Sequence, residues 1–343
     1  MKEALIDRTL HVDIHDVPVP TPGPGQILIK TIISGTNPKD WKVPKVWAPQ
    51  LGPSNHGDDI AGYVESVGED VLGFRKGDRV AAFHEMGTPH GSYAEYSIAW
   101  ARSAFHVPRH TTLEDAATIP LAAMTAALGL YQRLDLPLPW SHATNHLPLV
   151  IYGGATAVGS FAIKLASLSN IHPIITVAGN GVPYVETLIN KEKGDVVIDY
   201  RKGENHVLEQ IRIAAGGHTI LHALDGVSEN ETLRTIDKVL GPGSGKITNF
   251  LQNLPSDVSA EILYTTVGTV HAKDEKLGDK AFGAAFFPFF GRGLAEGWFS
   301  GHPHEVLSGG LGALEEALKA LEAGKVSAKK LLLRIADTEG SSA

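Results

Sequence analysis

The chain contains no cysteine. Disulfides, cysteine-ligated zinc, iron–sulfur clusters and thiol nucleophiles are thereby excluded, and a reducing compartment is the natural setting. No stretch approaches the ~18 consecutive apolar residues that a membrane-spanning helix requires. The opening segment Met1-Lys2-Glu3-Ala4-Leu5-Ile6-Asp7-Arg8 lacks the apolar core of a secretory signal. Positive charge is also short. Thirty Lys and Arg face 38 Asp and Glu, a formal net charge of −8, and no basic run reverses that balance locally. No nucleic acid partner and no membrane partner are therefore expected. These absences lead us to expect a soluble, cytoplasmic protein.

What is present suits a globular chain. Its 343 residues are 43% hydrophobic and 20% charged, ordinary values for a packed protein, and at ~150 residues per domain the length suggests about two domains. Up to about residue 110, short apolar stretches are separated by turn signals. Val17–Gly25 reads as an extended connector, and Gln26–Ile33, Ala61–Gly68 and Gly77–Phe83 read as strands or turn-and-strand units. Residues 113–135 are Ala-rich and helical in propensity. From Leu147 the pattern alternates: strands at 149–152, 173–177 and 196–198 are interleaved with helical spacing, as at Val158, Phe161, Ala162, Leu165 and Ala166. That alternation predicts an α/β fold with a parallel, doubly wound sheet. Near the end, Leu314, Ala317, Leu318 and Leu321 mark one helix face, Gly324 a stop, and Leu331–Ile335 a last strand.

Between the strand at 149–152 and the helix that follows lies Gly153-Gly154-Ala155-Thr156-Ala157-Val158-Gly159. Small residues there let the backbone approach a pyrophosphate, and the helix N-terminus offers free N–H groups and a positive dipole end. The flanking strand and helix supply the context that a glycine-rich turn needs to count as a dinucleotide motif. Thr156 occupies the middle position of the usual glycine spacing, where its hydroxyl is a candidate phosphate donor. About 20 residues on, where NAD sites carry an acid, the chain has Ala178, Gly179, Asn180 and Gly181. No carboxylate there repels a 2′-phosphate, so NADPH is expected, with Tyr200 and Arg201 as candidate phosphate contacts.

Several segments in order resemble the medium-chain dehydrogenase/reductase superfamily: Gly57–Gly68, Phe74–Val80, Gly91–Tyr96, Leu121–Ala127, the Gly153–Gly159 loop and Gly324–Lys330. The resemblance covers nearly the whole chain. It implies a β-rich, GroES-like catalytic domain formed by 1–112 and 287–343, with a Rossmann domain at 113–286. Zinc-dependent members carry Cys, His-Glu and Cys at positions matching Asn37, Asp58-Asp59 and a residue near Leu121. The chain therefore implies no zinc. Thr36-Asn37-Pro38-Lys39-Asp40-Trp41-Lys42 is similar to the Asn-Pro-x-Asp-x-Lys stretch of zinc-free quinone oxidoreductases and enoyl reductases. Tyr152–Thr156 and Ser308–Leu311 resemble the fungal branch that includes trans-acting enoyl reductases of polyketide synthases.

The resemblance implies hydride transfer to the β-carbon of an α,β-unsaturated carbonyl, followed by α-protonation. Lys42 is the candidate stabiliser of the enolate or proton source; the alternative is that it only pairs with Asp40 or holds the cofactor. Asn37 and Thr125 are candidates to orient the nicotinamide or carbonyl. Asp40, Trp41, Ser327 and Lys330 complete the expected cofactor set. Phe282, Phe286 and Phe287 belong to a cluster that fits either an acyl pocket or a buried core helix. The short histidine spacings His302/His304 and His84/His90 lack a matching carboxylate, and no metal site is expected from them. The leading expectation is an NADPH-dependent reductase of an enone, a 2-enoyl thioester or a carrier-bound polyketide. An NADPH:quinone oxidoreductase and a non-catalytic NADPH-binding protein are the alternatives. A polyketide synthase is the candidate partner, and the chain is expected as a monomer or homodimer.

Overall fold

The computed structural model describes residues 1–252, 254–273 and 278–341. The chain divides into two compact units, Met1–Leu121 with Gly268–Ala343, and Ala122–Val267. The first begins with an antiparallel hairpin of β1 (Lys2–Ile6) and β2 (Val12–Asp16). The larger sheet of this unit then starts with β3 (Gln26–Gly35), β4 (Asp59–Val67), β5 (Arg79–Phe83), β6 (Tyr96–Trp100) and β7 (Ala104–His106). β3 pairs antiparallel with both β4 and β6. Its register against β4 shifts twice, and the two backbones close in so far that a Cβ on Gly62 would lie 2.0 Å from the Lys30 carbonyl oxygen. Only glycine fits there, which is why Gly62 stands in the middle of β4. Ile27, Ile29, Ile60, Val64 and Val80 fill the space inside.

The segment expected to be one helical stretch at 113–135 is broken. It forms α2 (Leu113–Ala117), α3 (Pro120–Ala127) and a π-helical turn at Leu128–Arg133. Proline cannot donate a backbone N–H and suits a first helical position, so Pro120 ends one helix and starts the next. α2 is capped by Thr112, whose hydroxyl accepts from the Asp115 N–H.

The second unit carries β8 (Leu149–Tyr152), α4 (Ala157–Leu168), β9 (Ile174–Ala178), α5 (Val182–Val185), β10 (Val196–Asp199), α6 (Glu204–Ala214), β11 (His222–Asp225), α7 (Asn230–Asp237), β12 (Lys246–Asn249) and β13 (Glu261–Tyr264). All six strands are parallel, in the order β10-β9-β8-β11-β12-β13. The order reverses direction at β8, so the loop after β8 sits at the switch point where such sheets bind ligands. Val150, Ile175, Val177, Ile198, Ile211, Leu233 and Ile247 form a buried cluster.

The chain then returns to the first unit through α8 (Asp279–Glu296), β14 (His304–Leu307), α9 (Leu314–Glu322) and β15 (Lys330–Arg334). β15 joins the edge of β3, and β14 extends the sheet beyond it. α8 packs against β7, and α2 against β3 and β4. For that reason both helices belong to the first unit, although the segment expected at 113–286 takes in α2 and the first eight residues of α8. Among the described residues, no helix is long and apolar enough to cross a membrane.

Candidate active site

In the first unit, the Asn37–Lys42 segment follows β3 as a tight turn and a single helical turn, α1 (Lys39–Lys42). Its shape is set by Asp40, which is fully buried. One Asp40 oxygen accepts from the Asn37 N–H at 2.7 Å and from the Tyr93 hydroxyl at 2.5 Å. Burial and the Asp40 carboxylate keep the Tyr93 phenol protonated well above its usual range. The other Asp40 oxygen lies 2.8 Å from Lys39 Nζ, which also lies 2.5 Å from Asp58 Oδ2 and donates to the His56 carbonyl. Burial disfavours the charged form of Lys39, but the Asp40 and Asp58 carboxylates outweigh it and its pKa is raised. Asp58 is pushed up to about 6 by the same burial, against the pull of Lys39.

A second buried pair lies on the other side of Asn37. Lys330 Nζ donates to Asp59 Oδ2 at 2.5 Å and to Asn37 Oδ1 at 2.8 Å, while Asn37 Nδ2 donates to Asp59 Oδ2 at 2.8 Å. The Leu121 N–H donates to the remaining Asp59 oxygen at 2.7 Å. The Asn37 amide therefore has one possible orientation: its oxygen faces an ammonium and its nitrogen a carboxylate. Gly35 makes the pairing possible, because a Cβ there would fall 2.7 Å from Lys330 Cε. The fold thus brings Asn37 and Asp59 around a single lysine, with the Leu121 N–H on the far Asp59 oxygen. Among the described residues, no three His, Cys, Asp or Glu side chains are placed to hold a metal ion.

Two residues expected against the cofactor are engaged differently. Asp40 and Lys330 are buried and paired within the protein, as buried charges must be. Trp41 packs its side chain on the cluster around Leu10, Tyr93 and Leu314. Lys42 ends α1 partly exposed, its Nζ 5.6 Å from the Trp41 ring centroid, and Ser327 is exposed in the loop before β15. Of the three phenylalanines expected in a substrate pocket, Phe286 and Phe287 are sealed into the core. Phe287 stacks on Phe83 and meets Phe290 edge-on. Phe282 is partly exposed and stacks on Phe286 at 4.2 Å. Phe286 and Phe287 thus serve packing where α8 lies against β7, while Phe282 keeps part of its ring open.

The second unit holds the glycine-rich turn. Gly153 has φ +79°, which favours glycine, and its N–H and that of Gly154 both donate to the Val177 carbonyl. A Cβ on Gly154 would lie 2.0 Å from Thr176 Oγ1, and one on Gly159 would lie 2.2 Å from the Gly153 oxygen. Small residues here are thus required by close packing of turn, strand and helix. Thr156 is the N-cap of α4: its hydroxyl accepts from the Gly159 N–H and donates to the Gly153 carbonyl. The expected phosphate donor is thus also the cap of the helix, with its proton on the Gly153 carbonyl. The N–H groups of Ala157 and Val158 begin the 12-residue α4, where no intrahelical acceptor exists. Ala155 lies in the turn before the cap, and Thr125 is buried in α3.

At the next strand end, Ala178 and Gly179 are buried and Asn180 is exposed. Tyr200 lies over Gly179 so closely that a Cβ there would meet its ring at 2.6 Å. Gly181 caps α5. Arg201 clamps Asp199 through Nε and Nη2, at 2.8 and 2.6 Å, and Nη1 donates to Asn180 Oδ1 at 2.6 Å. These bonds, the Arg201 side chain first, hold Asp199 down at about 2. Asp199 ends β10, one strand beyond the strand at whose end an acid was sought in the sequence. Asp225, which ends β11, is buried and accepts from Val227 N–H and the Thr232 hydroxyl. Burial pushes it up to about 6.

The N–H groups opening α4 lie at the sheet's switch point, the position at which such folds hold phosphates. Residues 23–109 match the alcohol dehydrogenase GroES-like domain. The chain is 45% identical to a trans-enoyl reductase of Gibberella fujikuroi over 316 residues, 90% of this chain and 91% of that relative. It is 32% identical to a trans-enoyl reductase of Aspergillus sclerotiorum, covering 94% and 96% of the two chains. A crystal structure of an alcohol dehydrogenase superfamily protein from Novosphingobium aromaticivorans shares the fold at TM-score 0.79 and 22% identity, covering 97% of this chain and 99% of that one. The chain belongs to the medium-chain dehydrogenase/reductase superfamily, alongside the trans-enoyl reductases.

Proposed function

We propose that this chain is a zinc-independent, NADPH-dependent reductase that saturates the activated carbon–carbon double bond of an acyl chain carried by a polyketide synthase. Its family consists of oxidoreductases that use a nicotinamide cofactor. The observation that carries the metal-free reading is the Asn37–Asp59–Lys330 pairing, in which an amide stands where the resemblance places a cysteine ligand and a buried ammonium occupies the neighbouring carboxylate. The identity to trans-enoyl reductases along most of the chain supports the substrate class.

Bound NADPH supplies a hydride to the β-carbon of the double bond. The chain's own groups do the rest. The opening N–H groups of α4 hold the pyrophosphate, and the Gly153–Gly159 turn admits it. Asn37, fixed by Lys330 and Asp59, presents a rigid segment leading into Lys42. The Lys42 ammonium stabilises the negative charge that develops on the thioester oxygen, and a proton reaches the α-carbon. One well-placed donor to such an oxyanion contributes ~3–4 kcal/mol. The test is anaerobic turnover of a crotonyl thioester with NADPH, the product identified by mass spectrometry. A saturated acyl product is expected, and Lys42→Ala should lower kcat by roughly 100-fold. Unchanged turnover in that variant removes Lys42 from the role. Bound but unoxidised NADPH, with a quinone then reduced, replaces the reading with quinone reduction.

A further inference from the structure

We infer that the first unit carries a second ligand site, a cavity beside α8 that takes an amphipathic organic anion, a carboxylate on a medium-length hydrocarbon chain, with Arg102 as its anchor. The inference does not depend on the proposed reaction, because the cavity shares no residue with the Asn37–Lys330 site.

The cavity has a volume of about 710 Å³, within the range of ~300–1,000 Å³ usual for small-molecule sites. Its walls come from the turn after β4, from β7 with the residues on either side of it, and from α8. On α8, Pro288, Gly291, Arg292 and Ala295 follow helical spacing and line it together. Gly291 brings the helix close to β7: a Cβ there would lie 3.0 Å from Phe105 Cβ. Val71, Leu72, Phe74, Phe105 and Val107 make much of the lining apolar. Leu72 is 89% exposed, so a hydrocarbon chain would remove its surface from water. β3 separates the cavity from the Asn37 segment. Gly25, which lines the cavity, immediately precedes this ten-residue strand, and Asn37 lies beyond its far end.

Charge selects the class of ligand. Arg102 lines the cavity and is partly buried. Its Nε is shielded from water without a hydrogen-bond partner, and among the described residues no carboxylate lies within ion-pair distance of its guanidinium. Arg102 Cζ lies 4.1 Å from the centroid of the Trp100 ring, and Glu85 Oε2 holds that ring by accepting from Trp100 Nε1 at 2.6 Å. Stacking occupies a face of the guanidinium, whereas its five N–H donors lie in its plane and stay unused. Burial lowers the pKa of Arg102, against the pull of Glu85. The other charges of the lining are answered. Arg292 Nε donates to Glu296 Oε1 at 2.8 Å, His106 Nε2 lies 3.2 Å from Asp78 Oδ2, and Asp70 is exposed to water. Arg102 is therefore a lining cation that is neither paired nor in open water. Two of its donors fit a carboxylate bidentately, and the apolar lining fits the chain attached to it.

The experiment is isothermal titration calorimetry of the full chain with decanoate, decanol and acetate. Decanoate should bind, with decanol weaker by about tenfold or more for want of the charge and acetate weaker still for want of the chain. Arg102→Met, which keeps the stem, should weaken decanoate to the level of decanol and leave decanol unchanged. Arg102→Lys, which keeps the charge, serves if the methionine variant fails to fold, and should retain only part of the affinity. Ala295→Trp, at an exposed position of α8, should fill the cavity and abolish decanoate binding. Equal affinity for decanoate and decanol, wild-type affinity in either the Arg102 or the Ala295 variant, or no binding at millimolar decanoate would each overturn the inference. So would a wild-type dimer in sedimentation velocity that Ala295→Trp dissociates, because the cavity would then belong to a second copy of the chain. None of these results bears on hydride transfer, so the reaction and the second site stand or fall separately.

Discussion

Lys330 shows how much of the first unit's site depends on one buried charge. Its ammonium is the partner of Asp59, which also accepts from the Asn37 amide and the Leu121 N–H. Lys330→Met would leave a carboxylate buried without a cation, and such losses cost roughly 3–5 kcal/mol. Urea denaturation should report a drop of that size, and pairing the change with Asp59→Asn should recover much of it, because the two residues are coupled. A drop below about 1 kcal/mol, or no recovery in the pair, would show that the pairing is not structural. Little of this was legible in the sequence. Asn37 and the Asp58-Asp59 step stand out as matches to a known pattern, but Lys330 and Asp59 are 271 positions apart, and spacing carries no signal over such a distance. Thr156 was legible as a special position but not as the cap of α4, a role that suits a hydroxyl one residue before a helix.

Among the elements, β8, β9 and α4 were readable because strands buried on both faces form continuous apolar runs, and a buried helix repeats its apolar positions at helical spacing. The broken helices at 113–133 were not, because alanine-rich sequence favours helix throughout and only Pro120 marks the break. α8 was ambiguous for a related reason: five phenylalanines in nine positions suit a pocket and a core equally, and burial decides. Phe287 is 0% exposed and packs on Phe83 and Phe290. Phe287→Ala should therefore destabilise the protein by about 3–5 kcal/mol. At temperatures where the variant remains folded, its KM for the acyl substrate should be unchanged. A raised KM with unchanged stability would restore the pocket reading.

For the whole molecule, stability should depend on pH through groups that the fold buries. His271 shares a 2.7 Å hydrogen bond with Ser103 and stacks on Phe83. Burial, with Arg102 and His84 nearby, holds it neutral down to about 3. An unfolded imidazole titrates near 6.5, so below that pH the unfolded chain binds a proton that the folded chain refuses. Stability that is present above about pH 6.5 is then lost as the pH falls. His56, brought down to about 4 by burial, acts in the same direction. Asp58 and Asp225, pushed up to about 6, act in the opposite one: their folded forms keep a proton that the unfolded chain releases, and that advantage fades between roughly pH 4 and 6. A single variant separates these effects. The stability difference between wild type and His271→Gln should shrink as the pH drops from 7 to 4, and a constant difference would contradict the buried neutral imidazole.

The molecule's architecture also explains why its two halves differ in legibility. The second unit is one contiguous stretch whose β–α alternation announces a parallel sheet, whereas the first is completed by α8, β14, α9 and β15, which return after the second unit has been built. β15 pairs with β3, and no local pattern foretells a strand that joins a sheet begun 300 residues earlier. The central claim is hydride transfer to carbon, and it is tested most directly by isotope placement. NADPH carrying deuterium at both C4 positions of the nicotinamide is supplied with a crotonyl thioester, and the product is analysed by NMR and mass spectrometry. Deuterium is expected at the β-carbon of a saturated thioester, with the α-hydrogen drawn from water. A saturated product with no deuterium, or label transferred only to an added quinone, would contradict the claim.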